Sequence, residues 1–338
     1  MSSEISPLIC EKAPVILAEI KKAKSVLLHC HPSPDPDSVG SALAMKFAVE
    51  QLGVKATVFK GDSEIPDAFM HFPGARDIVQ KNFFELDLAE FDLFIIQDSG
   101  SKEMISRFKP IEFPLPMRTI VIDHHASNQG YGDINLVEPT YPAACQVLHD
   151  LFMEWQIKLT PEIAANLFIG MYTDTGGFKY RGTTARTFAV AAELTKIVPS
   201  FPKLISDMEN SRTPGDLALQ ALALSNIETF LNGKCGLSIV TLAGLKEKNI
   251  PMSDVHAGMI SPILQSVKEW SIAGVIIEVA PGNIKMSFRS KDADYDVSKL
   301  AVALGGGGHK DAAGAVLMMP LEDAKKLVVQ KMEELYNL

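Results

Sequence analysis

Short apolar runs alternate with amphipathic stretches through the first half of this chain. Val26-Leu27-Leu28, Ala56-Thr57-Val58-Phe59, Leu93-Phe94-Ile95-Ile96 and Ile120-Val121-Ile122 are too short for helices and read as buried strands. Between the first two, Val39, Leu43 and Phe47 recur at helical spacing, with Asp37 or Ser38 as the cap and Gly53 at the end. Val147, Leu148, Leu151, Phe152 and Trp155 mark another helix. Thr160-Pro161 opens the next, which runs into Tyr172-Thr173-Asp174-Thr175-Gly176-Gly177. This alternation predicts an α/β fold over residues 1–195, a mostly parallel sheet with flanking helices.

The pattern changes at 196–216, where Pro199, Pro202 and Pro214 fall among small polar residues and suggest a linker with a helical middle. A second, smaller α/β domain is expected over 217–338. Strands near 236–242 and 272–280 lead through Pro281-Gly282-Asn283 into a hairpin returning along 284–290. A helix near 296–304 precedes Gly305-Gly306-Gly307-Gly308-His309, and a last amphipathic helix follows Pro320. Two domains on a linker suggest a cleft between them. Residues 99–117 read as a loop and short helix without assigned function.

Composition narrows the class. The chain has 338 residues, 47% of them hydrophobic and 22% charged, as expected of a two-domain globular protein. No apolar stretch is long enough for a membrane span, and Met1-Ser-Ser-Glu-Ile lacks the features of a signal peptide. The four cysteines have no metal or redox spacing, so a reducing, cytoplasmic location is expected. A formal charge of −9 argues against tracking along long duplex nucleic acid, which rewards a basic surface. A polyanionic substrate would be short, held by a few cations and by metal.

The ends of the apolar runs carry the chemistry. His31, Asp35 and Asp37 lie in a loop stiffened by Pro32, Pro34 and Pro36. Asp98, Asp123-His124-His125 and Asp174 each follow another run, at positions where open α/β sheets place their sites. Singly, each has an ordinary explanation as a cap, a turn residue or a core histidine. Together they would gather carboxylates that repel one another without cations. Mixed Asp/His donors suit Mn²⁺ or a similar first-row ion, and their number suits two ions, bridged roughly 3.5–4 Å apart. In the second half, Gly306, Gly307 and Gly308 allow backbone amides close to an anion, with His309 adjacent and Arg289-Ser290 on a neighbouring strand.

The ordered set His31-x-x-Pro34-Asp35-x-Asp37-Ser38, Asp98, Asp123-His124-His125 and Asp174 resembles the four motifs of the DHH phosphoesterase family. Gly305–Gly308-His309-x-x-Ala312-Ala313-Gly314 resembles the signature of that family's DHH-associated C-terminal domain. Within the family the likeness is to stand-alone enzymes of the NrnA type, which degrade short oligoribonucleotides and dephosphorylate pAp. The resemblance implies that His31 and Asp35 hold one Mn²⁺ while Asp37, His124 and Asp174 hold a second, with Asp98 bridging. Mg²⁺ or Co²⁺ are alternative ions. Asp123 would be a loose ligand or lie just behind the ligands and orient an imidazole, and His125 would face the scissile phosphate as an electrostatic partner or proton donor. The attacking group would be an activated hydroxide. Arg289, Ser290, Gly306, Gly307, Gly308 and His309 would bind the substrate, with Arg289 at its non-scissile end.

The expected activity is therefore hydrolysis of short oligoribonucleotides to mononucleotides, of pAp to AMP and phosphate, or of both. The alternative is a soluble cyclic-di-AMP or pApA phosphodiesterase, whose architecture would look the same. A homodimer is left open, and no membrane partner is expected. The RecJ-type exonucleases of the family are longer, its exopolyphosphatases lack the glycine signature, and a non-catalytic regulator would have lost a motif residue.

Overall fold

The computed structural model describes residues 5–180, 182–210, 212–292 and 294–336. The chain divides into two compact units, Met1–Ser211 and Arg212–Leu338. The first contains α1 (Pro7–Lys22), β1 (Ser25–His29), α2 (Pro36–Gln51), β2 (Lys55–Phe59), β3 (Leu93–Gln97), β4 (Arg118–Asp123), β5 (Ile134–Val137), α3 (Ala144–Glu154), α4 (Pro161–Asp174), α5 (Ala185–Ile197) and α6 (Phe201–Glu209). Its five strands lie in the order β2-β1-β3-β4-β5, all parallel. Both faces are covered, which explains why the strands are apolar throughout rather than alternating. Ile95, Ile120 and Ile122 pack with α1 to α4, while Phe94, Ile96 and Val121 join Phe59, Phe83 and Phe91 on the other face.

One local expectation needs correction. The cap of α2 is Asp35, whose carboxylate accepts from Ser38 N at 2.9 Å, rather than Asp37 or Ser38. Asp174 is the last residue of α4, the helix expected to run into it. Elsewhere Thr160 caps α4 with Pro161 at its first turn, and Gly53 takes a positive φ just past α2. The stretch read as a linker holds the end of α5, all of α6 and the start of a helix at Pro214–Ser225.

The second unit contains α7 (Pro214–Ser225), β6 (Ile227–Phe230), β7 (Cys235–Val240), α8 (Leu242–Glu247), α9 (Ser261–Gln265), β8 (Ile272–Ala280), β9 (Asn283–Ser290), α10 (Val297–Ala303), β10 (Gly307–Gly308), β11 (Ala312–Met318) and α11 (Leu321–Tyr336). Its six strands run β10-β11-β9-β8-β7-β6, antiparallel except for β7 beside β8. One face packs on α10 and α11 through Phe288, Leu300 and Val328, the other on α7 to α9 through Val275, Leu219 and Leu264. No helix among the described residues is long and apolar enough to cross a membrane.

Candidate metal centre

The site lies at the C-terminal rim of the first sheet, where parallel strands point their last residues away from the core. β1 delivers the loop carrying His31 and Asp35, β3 delivers Asp98, β4 delivers Asp123, His124 and His125, and α4 ends on Asp174. Asp98 sits at φ 49°, a left-handed conformation that aspartate tolerates better than most side chains. Its amide is held by the Ile122 carbonyl at 3.1 Å, so the bend is fixed by the neighbouring strand. Asp37 is held from a distance in sequence: its carboxylate accepts from Ala144 N at 2.7 Å and Cys145 N at 3.0 Å. Asp37 thereby caps α3, whose own N-cap Ala143 has no side chain to do so.

Asp98 stands between two donor groups. One of its oxygens, Oδ2, lies 3.6 Å from His31 Nε2, which is itself 3.3 Å from Asp35 Oδ2. The other, Oδ1, lies 3.4 Å from His124 Nε2, which is 3.4 Å from Asp174 Oδ2 and 3.9 Å from Asp37 Oδ2. Three sets can each hold a metal ion, with donor atoms within 4.8 Å of one another: His31, Asp35 and Asp98; Asp37, His124 and Asp174; and Asp98, His124 and His125. His124 Nδ1 donates to the Tyr141 carbonyl at 3.3 Å, which aims Nε2 at the carboxylates.

The electrostatics are those of a cation site. Burial first, and then the charge of Asp98, raise the Asp37 carboxyl to about 6. Burial and Asp37 hold the Asp174 carboxyl well above its ordinary range. Burial disfavours charge on His124, but Asp98, Asp174 and Asp37 outweigh it and raise its pKa to about 10. Asp35 also loses solvation, yet His31 draws its carboxyl down to about 2. Without an ion, a proton on His124 partly neutralises the cluster. His31 Nδ1 is buried with no hydrogen-bond partner. Divalent cations fit this donor set better than protons, because two positive centres would satisfy all the carboxylates at once.

Asp123 and His125 form an adjoining pair. His125 Nδ1 lies 2.7 Å from Asp123 Oδ1, and Asn128 Nδ2 donates to Asp123 Oδ2 at 2.7 Å. Asp123 is fully buried, whereas the His125 ring is partly exposed. The carboxylate therefore fixes Nδ1 as the protonated nitrogen and sets the orientation of the ring. Sequence reasoning did not identify Asn128, Tyr131 or Ser99. Asn128 and Tyr131 both donate to the Ser99 carbonyl, at 3.1 and 2.8 Å, and so brace the residue that follows Asp98. No spacing rule signals such contacts; they depend on how the loops after β3 and β4 meet.

In the second unit, β9 and β11 pair Arg289 with Ala312, beside the tight turn that carries His309. Arg289 is half-buried, and its Nη1 donates to Ser287 Oγ at 3.1 Å and the Phe288 carbonyl at 2.9 Å. His309 is exposed on the β10–β11 turn. The expected role of Ser290 does not match its placement. It is 1% exposed, and its hydroxyl donates to the Asp292 carbonyl at 2.9 Å, so it is turned inward. The glycines divide by cause. A Cβ on Gly306 would lie 2.1 Å from the Gly314 carbonyl oxygen, and one on Gly308 2.6 Å from that of Ala312, so the strand crossing itself requires both. Gly307 has nothing within 4 Å of that position, so its lack of a side chain leaves an exposed backbone open to approach.

Residues 25–171 match the DHH family N-terminal domain, and residues 239–337 match the DHHA1 domain. The chain is 31% identical over 306 residues to the probable bifunctional oligoribonuclease and PAP phosphatase NrnA of Streptococcus mutans, covering 89% of this chain and 92% of that protein. It belongs to the DHH family. A second relative, the bifunctional oligoribonuclease and PAP phosphatase NrnA of Thermus thermophilus, is 29% identical over 331 residues, 94% of this chain and 93% of its own. The fold is shared with the crystal structure of an exopolyphosphatase-related protein from Bacteroides fragilis, at TM-score 0.86, 22% identity and coverage of 99% and 98%. RecJ from Thermus thermophilus aligns at TM-score 0.54 and 14% identity, over 98% of this chain and 56% of RecJ. As a DHH-family member the chain is a hydrolase acting on phosphoester bonds.

Proposed function

We propose that this protein hydrolyses short oligoribonucleotides to mononucleotides and pAp to AMP and phosphate, using two Mn²⁺ ions held by the rim cluster. The observation that carries the reading is the division of Asp98, one oxygen toward His31 and Asp35, the other toward His124 and Asp174. That is the arrangement of a bridging carboxylate, and paired ions are the tool for in-line displacement at phosphorus. The NrnA names of the two relatives, matched along nearly their whole length, supply the substrate class. RecJ, whose fold is shared, has been crystallised with Mn²⁺.

Ions held by His31, Asp35, Asp98, Asp37, His124 and Asp174 would supply Lewis acidity and activation of water near neutral pH. The chain's own residues do the rest. Asp37, anchored on the N-terminus of α3, fixes one donor to the scaffold. Asp123 holds the His125 imidazole through Nδ1, and the ring donates to the leaving oxygen from Nε2 or steadies charge on the phosphate. Arg289, Gly307 and His309 bind the phosphate that is not cleaved, with a guanidinium fork, open backbone and an imidazole. Gly306 and Gly308 serve that function by letting the turn form.

Product analysis with Mn²⁺ tests the assignment on pAp, pApA, a five-nucleotide RNA, long single-stranded DNA and cyclic-di-AMP. Mononucleotides from the short RNA together with phosphate from pAp are the expected result. Turnover confined to cyclic-di-AMP or pApA would replace it with a signalling-nucleotide phosphodiesterase.

A further inference from the structure

Immediately after Asp174 the backbone takes a course that metal binding does not require. Gly176, Gly177 and Phe178 adopt positive φ angles of 59°, 68° and 64° in succession. Glycine does this freely, but a bulky aromatic residue is strained there and stays only where its surroundings enforce it. Here several contacts do. Gly177 N donates to the Tyr172 carbonyl at 2.7 Å, Phe178 N to Thr175 Oγ1 at 3.0 Å and Tyr180 N to the Thr175 carbonyl at 2.9 Å. The Phe178 ring packs against Tyr172 and Phe188, with centroids 5.8 and 5.3 Å away.

The consequence of this folded-back turn is the position of Tyr180. Its ring crosses Gly176 so closely that a Cβ there would lie 2.5 Å from the ring carbons. Gly176 is two residues from Asp174, a span of at most about 7 Å. Yet Tyr180 remains 44% exposed. An aromatic ring is thus seated on a glycine close in sequence to the metal cluster, with nearly half of the residue's surface open, and the seat is held by hydrogen bonds and ring packing around a strained backbone.

We propose that Tyr180 is the platform on which the substrate's nucleobase stacks while its phosphate lies at the Asp98 cluster; this rests on the nucleotide reading given above. A preordered ring loses little conformational freedom when a base settles on it. Every base has a π-face, so the platform tolerates all sequences, as degradation of arbitrary short RNA requires. Stacking also supplies affinity that does not depend on positive charge, which suits a protein of net charge −9.

Steady-state kinetics of the Mn²⁺-loaded protein on pAp, and on its abasic analogue with hydrogen in place of adenine, test this in Tyr180→Phe, Tyr180→Leu and Tyr180→Ala. The leucine and alanine variants should raise KM for pAp about tenfold, within the roughly 5- to 150-fold range of a lost stack, with kcat within about threefold. The phenylalanine variant should match the wild type, and KM for the abasic analogue should be the same in all. Equal KM changes for both substrates, a phenylalanine variant as weak as alanine, or an unchanged pAp KM in Tyr180→Ala would each overturn the platform. So would a loss of Mn²⁺ affinity in step with turnover, which would assign the ring to supporting Asp174. Calorimetric binding of AMP separates this from the reaction itself. Tyr180-dependent AMP binding without pAp turnover would defeat the proposed reaction and sustain the platform, whereas AMP binding indifferent to Tyr180 defeats the platform.

Discussion

Asp123→Asn is an isosteric change with a specific predicted failure. The buried carboxylate accepts two hydrogen bonds, from His125 Nδ1 and from Asn128 Nδ2, each at 2.7 Å. Asparagine offers one accepting oxygen and one NH₂ group to the same two donors. If its oxygen faces His125, two NH₂ groups confront each other in a fully buried place, at about 1–3 kcal/mol for the unsatisfied donors. Asn128 cannot flip to relieve this without losing its bond to the Ser99 carbonyl at 3.1 Å and the bond its Oδ1 accepts from Gly130 N at 2.8 Å. The remaining choice turns the new oxygen toward Asn128 and the new NH₂ toward His125. That forces Nδ1 to accept and moves the imidazole proton to Nε2, and it removes the negative charge that favours the imidazolium.

Removing properly placed acid–base help costs about 10²–10⁴ in rate, and kcat on pAp should fall within that range. The alkaline limb of the pH–rate profile should shift down as well, because burial disfavours charge on His125 and its pKa is raised only by the hydrogen bond to Asp123 together with the charges of Asp98 and Asp123. Mn²⁺ stoichiometry should stay unchanged, since Asp123 falls outside the three donor sets. A kcat within threefold of wild type with an unshifted profile would refute the coupling of Asp123 to His125, and loss of one ion would make Asp123 a ligand.

Three further outcomes follow from the same geometry. His125→Ala should keep both Mn²⁺ ions, because the six proposed donors His31, Asp35, Asp37, Asp98, His124 and Asp174 remain, while losing most turnover, read by calorimetry and initial rates; unaltered activity would remove His125 from the reaction, and loss of an ion would make His125 a ligand. Arg289→Ala should raise KM for pAp by about 10-fold with little change in kcat, as expected for a contact made equally in ground and transition states, and a pure kcat loss would contradict that. Mn²⁺ affinity should weaken as pH falls through about 6, where the Asp37 carboxyl takes up a proton, and binding above that pH should release protons from His124. Calorimetry in buffers of different ionisation enthalpy measures the release, and buffer-independent heats would show that the cluster does not carry those protons.

The sheet of the first unit was legible because its strands are covered on both faces and so leave unbroken apolar runs. The candidate donors were legible because polar residues closing such runs are hard to explain as core. α1 was missed: Pro14 interrupts it and only Ile9, Ala13, Ile16 and Ile20 are buried, a thin stripe. β5 was missed because four residues on an edge, only Leu136 of them fully buried, carry little pattern. The anchoring of Asp37 on α3 was out of reach, since a helix capped by a side chain 107 residues away leaves no local signature. Ser290 shows the opposite error. Strand alternation alone could not reveal that its hydroxyl closes a turn onto Asp292.

The most direct measurement is anomalous diffraction at the manganese edge from crystals of the full chain grown with Mn²⁺. Two peaks roughly 3.5–4 Å apart, one beside His31 and Asp35, the other among Asp37, His124 and Asp174, with Asp98 touching both, are the expected result. A single peak, or two peaks with Asp98 bound to neither, would contradict the bridged centre on which the proposed hydrolysis depends.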